Sequence, residues 1–184
     1  MAKLYMLLIG CTPPGRNIEQ HDVFFGIADS VKELVPHIKA FWPEAPKIHL
    51  DAFRAITLVD GFSVQVVNAP GAVSTHKLFF LNLGGYKPNE FEEYHYKMIV
   101  VAADRSKAIN SAKQTAFFKH THFEGANSHI DDKYGVDVDD VYEINDILPD
   151  HFKQQYSIVL EPAADEQAED ELQIGYFKLN KIDY

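Results

Sequence analysis

The sequence predicts an α+β fold: two homologous strand–strand–helix–strand repeats sharing a largely antiparallel sheet with helices packed on it. An approximate twofold axis is expected between the copies, with a C-terminal β-hairpin beyond them. Three observations carry the prediction. Lys3-Leu4-Tyr5-Met6-Leu7-Leu8-Ile9-Gly10 returns as Lys77-Leu78-Phe79-Phe80-Leu81-Asn82-Leu83-Gly84, an offset of 74. The offset persists through Pro14/Pro88, Glu19/Glu93, His21/His95, Ala28/Ala102 and Lys39/Lys113. After a six-residue insertion the match resumes at His49/His129, Asp51/Asp131 and Asp60/Asp140. Copies of roughly 65–70 residues are marginal alone and are expected to share a core. The copies are placed at 1–67 and 77–148, with a linker over 68–76 and an acidic-loop hairpin over 149–184.

Each copy opens on an apolar run, 4–9 and 78–83, closed by glycine, which reads as a strand buried on both faces. Segments 19–28 and 93–102 are rich in β-branched and aromatic residues and predict hairpin partners for the first strands. Ser30-Val31-Lys32-Glu33 has capping-box spacing, and Asp104 is a favoured N-cap at the equivalent place. Val31, Leu34, Val35, Ile38, Phe41 and Trp42 then share one helical face, answered by Ala108, Ile109, Ala112 and Ala116. Pro36 is expected to kink the first helix or delay its start. Strand pairs 49–53 with 56–59 and 129–133 with 136–139 follow, then extended pieces over 62–67 and 142–147. Segments 155–160 and 172–179 are expected to pair around the acidic loop.

The apolar content of 46% and charged content of 24% are those of a globular protein. A net charge of −10 argues against general binding to nucleic acid or anionic membranes, which needs a basic face. Residues 165–171 carry five acids and no base and read as a solvated loop. The single cysteine, Cys11, forbids an intrachain disulfide and suits a reducing, cytoplasmic setting. Leu8-Ile9-Gly10-Cys11 mimics a lipoprotein signal, but its apolar stretch is short and recurs mid-chain, so a strand is expected.

The site candidates are the polar residues that recur. Glu19-x-His21 parallels Glu93-x-His95, and His49-x-Asp51 parallels His129-x-Asp131. Residues i and i+2 of a strand share a face, so each motif sets an imidazole beside a carboxylate. Such a set can bind a divalent metal or serve as general acid and base. It can equally brace the fold, since buried polar groups need partners whatever else they do. The insertion adds His120, His122 and Glu124, which with His129, Asp131 and Asp132 concentrate three histidines and three acids in thirteen positions. This is a weaker metal candidate, because spacing says nothing of geometry or outer-shell support. Asn82-Leu83-Gly84-Gly85-Tyr86 reads as a tight turn or an anion nest, without the lysine of a phosphate loop. No dinucleotide, zinc-helix or nucleophile-elbow motif is present, and no cofactor is implied.

Lys77-Leu78-Phe79-Phe80-Leu81-Asn82-Leu83-Gly84-Gly85-Tyr86, with the Glu-x-His and His-x-Asp strands, resembles the bacterial domain of unknown function 1543 family over residues 3–147. The resemblance implies tandem modules and a bacterial origin, and no activity. Gly10-Cys11-Thr12 departs from Gly84-Gly85-Tyr86, so a site built on that turn would belong to one copy. The expected function is a non-catalytic ligand-binding or protein-interaction module, its partner a small molecule or a protein, with a homo-oligomer open. The alternative is a metal-assisted or acid–base enzyme using the paired motifs.

Overall fold

The computed structural model of the chain describes residues 1–72, 74–86, 89–119, 137–164 and 168–184. Among these residues it is α+β, with three antiparallel sheets and four α-helices. The chain divides into two units, Met1–Ser74 with Leu148–Tyr184, and Thr75–Ile147. No described helix is long and apolar enough to cross a membrane.

The first unit is built outward from strand β1 (Lys3–Cys11). Leu4, Leu7 and Ile9 are fully buried, each stabilising the fold by roughly 1.5–3 kcal/mol. One edge of β1 pairs with β2 (Gln20–Ala28), the other with β3 (His49–Ile56). Helix α1 (Val31–Phe41) packs on β2 through Val31, Leu34 and Ile38, the apolar face read from the sequence. Its start differs in detail from the capping box. Ser30 makes no side-chain cap bond, while Glu33 accepts from the Asp29 N–H at 3.2 Å. The helix starts on time and runs through Pro36.

The expected pairing of 49–53 with 56–59 is corrected. Strand β3 runs unbroken to Ile56, and β4 (Leu58–Val59) turns back into β5 (Phe62–Val67). Asp60 and Gly61 both have positive φ, 50° and 77°, the two-residue turn for which Asp-Gly is preferred.

In the second unit, β6 (Lys77–Tyr86) pairs with β7 (Glu93–Ala102) and with β8 (Asp137–Glu143). Helix α2 (Arg105–Lys119) is capped by Asp104, whose carboxylate accepts from the Lys107 N–H at 2.9 Å. Ala108 and Ala112 sink against Phe79, Leu81, Leu83, Val100 and Val141. Gly84 and Gly85 lie within β6, paired with His95 and Tyr94, so the tight-turn reading is corrected. The extended piece expected over 142–147 is also corrected, because the chain turns at Ile144 into helix α3 (Ile144–Ile147).

These strands of the two units are hydrogen-bonded in separate sheets, ordered β2–β1–β3 and β7–β6–β8, among the described residues. The C-terminal hairpin is a further correction. After helix α4 (Asp150–Gln155), strand β9 (Ser157–Pro162) pairs with β5, and β10 (Gln173–Lys178) pairs with β3. Each adds a strand to an existing sheet of the first unit, whereas an isolated two-stranded hairpin is marginally stable. Asp170, from the run read as solvated, accepts from the Thr57 N–H and Oγ1–H at 3.0 and 2.6 Å and pins the β3–β4 connection.

Candidate functional site

Glu19, His21, His49 and Asp51 meet at one end of the first unit's sheet. Gly10 on the central strand faces His21 across β2 and His49 across β3, so the imidazoles flank a position without a side chain. A Cβ there would lie 2.6 Å from His49 Nε2 and 2.7 Å from Asp51 Oδ2. The recurring glycine therefore clears the space in which these groups meet.

Asp51 is aimed by a bulge. Leu8 pairs with Ala52 and Ile9 with Leu50, leaving Asp51 as the extra residue of β3. Bulges of this kind redirect side chains and are common beside functional sites.

The four side chains form a closed ring of contacts. His49 Nε2 is 3.1 Å from Glu19 Oε1 and 3.3 Å from Asp51 Oδ1. His21 Nε2 is 3.5 Å from Glu19 Oε2 and 3.2 Å from Asp51 Oδ2. The ring grades from solvent to core: Glu19 and His21 are about 40% exposed, Asp51 28%, and His49 only 4%. Close approach does not make these contacts hydrogen bonds. His49 Nε2 and Asp51 Oδ2 are buried and make no hydrogen bond.

The His49 ring is covered by Tyr176, with ring centroids 4.2 Å apart and planes at 31°. Tyr176 reaches that place through a second irregularity. Ile174 pairs with Ala52 and Phe177 with Leu50, so Gly175 and Tyr176 of β10 stand opposite Asp51 alone. Sequence reasoning missed this residue. Its signal was Gly175 inside an apolar alternating run, a recognised mark of a bulge.

In the second unit His95 Nε2 lies 4.0 Å from Glu93 Oε2. His129 and Asp131, together with His120, His122 and Glu124, lie outside the described residues. In register, Gly10 faces His49 in the first unit and Gly84 faces Asp137 in the second. Val141 pairs with Leu81, and both lie in the core of the second unit. The bulge recurs at Asp139, between the partners of Asn82 and Leu83. Among the described residues, no group of three or more His, Cys, Asp or Glu side chains is disposed to hold a metal ion.

Residues 16–66 match the family described as Domain of Unknown Function (DUF1543). The DUF1543 match spans Glu19, His21, His49 and Asp51. No curated protein matches the sequence. A solved structure, the crystal structure of a protein Il1583 from Idiomarina loihiensis, has the same fold, with a TM-score of 0.67 at 24% identity. That likeness covers 98% of this chain and 99% of the other.

Proposed function

We propose that the protein is a ligand-binding module whose site is the Glu19–His21–His49–Asp51 ring and whose ligand is a small cation. The observation that carries this reading is His49 Nε2, buried between two carboxylates and without a hydrogen bond. A buried polar group that only braces a fold finds a partner, since leaving it unpaired costs roughly 1–3 kcal/mol. A cation set among these acceptors relieves that cost, and the half-exposed Glu19 and His21 leave it a way in. The net charge of −10 favours the approach of cations and opposes nucleic acid as a partner. The lone cysteine, buried on β1, fits a reducing cytoplasm.

A second reading, acid–base catalysis, draws on the ring itself. Each imidazole lies within 3.5 Å of both carboxylates, an arrangement through which a proton can pass. The same four residues would then be the proton carriers. We further propose that the chain arose by tandem duplication. The shared strand order, the glycine at Gly10 and Gly84, and the bulge at the same register support this.

The test is thermal denaturation of the full chain and of the E19Q/D51N double variant, each with Mn²⁺, Zn²⁺ and methylammonium. At least one cation should stabilise the native chain, by about 2.7 kcal/mol at a hundred times its dissociation constant. The variant should lose that gain. No gain with any cation, or an equal gain in the variant, overturns the proposal.

A further inference from the structure

The geometry points to a more specific ligand class: an organic ammonium ion carrying a flat apolar body, with Tyr176 as the residue that selects it. This rests on the cation-binding reading and adds to it what surrounds the charge. Two carboxylates and the Nε2 of the 4% exposed His49, which makes no hydrogen bond, supply the polar end. Immediately beside them the surface becomes apolar. Tyr176 is 64% exposed although one face of its ring lies on His49, and Ile174, two residues earlier on the same strand, is 74% exposed.

Exposure of that size needs a reason on a strand whose next residue, the half-buried Phe177, lies against Phe53. Strand β10 lies at the outer edge of its sheet, and the Gly175–Tyr176 bulge is what sets the phenol over His49. A tyrosine pressed on a buried imidazole from outside offers its remaining surface to whatever binds the carboxylates. The negative ring face attracts a cation directly, and the apolar surface takes the hydrocarbon attached to it. A bare metal ion uses only the polar half. Moreover, no described group of three or more donors is disposed to hold one.

Calorimetric titration of the full chain with benzylammonium and with methylammonium tests this, using the native protein, Y176A, Y176F and the E19Q/D51N variant. Native protein should bind benzylammonium about tenfold more tightly than methylammonium. The preference should fall to within twofold in Y176A and persist in Y176F, and E19Q/D51N should weaken both ligands. Equal affinities in the native protein, or a preference that survives Y176A, overturn the role of Tyr176 while leaving cation binding intact. Binding of Mn²⁺ or Zn²⁺ with neither ammonium has the same consequence. Absence of binding by any of the four cations removes the underlying reading as well.

Discussion

A methyl group at position 10 would sit 2.6 Å from His49 Nε2 and 2.7 Å from Asp51 Oδ2, closer than side chains tolerate. Gly10→Ala therefore has to push both residues out of the ring. The expected result is a loss of about 1–3 kcal/mol of stability, typical of overpacking, together with loss of cation binding. Urea denaturation and calorimetry would measure the two effects. Retained binding in a folded variant would show that the space above Gly10 is unused. The four ring residues were legible because their motifs recur in the sequence. Their meeting was not, since it depends on Gly10 separating His21 from His49 and on Asp51 being an extra residue in β3. Tyr176 was invisible for a related reason: it comes from a strand remote in sequence, brought to the ring by pairing with β3.

Helix α1 meets α4 through two histidines. The rings of His37 and His151 stack with centroids 4.5 Å apart, and Phe152 lies against both. Burial, with a smaller contribution from His151, lowers the His37 pKa below its ordinary 6.5. The folded state thus binds this proton less readily than the unfolded chain does. Stability contributed here is complete above pH 6.5 and is lost as the pH falls from there through the lower folded value. A series of melting temperatures between pH 7.5 and 5 should show that loss, and His37→Phe should flatten it. An unchanged slope in the variant would assign the effect elsewhere. The α1 face was readable from its 3.6-residue spacing. The contact with α4 was not, because Asp150–Gln155 is a short helix without a periodic apolar face. The acidic run misled in the same way: composition describes the average residue, whereas Asp170 has a specific task at Thr57.

The first unit is made from two stretches separated in sequence by the second, Met1–Ser74 and Leu148–Tyr184 around Thr75–Ile147. A signal built on likeness between two stretches of sequence is silent about the segment that resembles neither. That segment supplies β9 to β5 and β10 to β3, and the Tyr184 backbone oxygen accepts from the Lys32 N–H at 3.1 Å. A chain ending at residue 147 should therefore lose cooperative unfolding of the first unit and with it the ring's cover. Circular dichroism through the melt would reveal it, and an undiminished transition would show that the last two strands are dispensable. The order of synthesis gives this arrangement another consequence. Between the end of β3 and the start of β10 the ribosome must add 173 − 56 = 117 residues, a delay on the order of ten seconds. During that interval the outer edge of β3 is an unpaired template on the nascent chain, open to pairing with a neighbour on the same messenger. Expression yield should therefore depend on translation speed after codon 56 and on chaperones that shield strand edges.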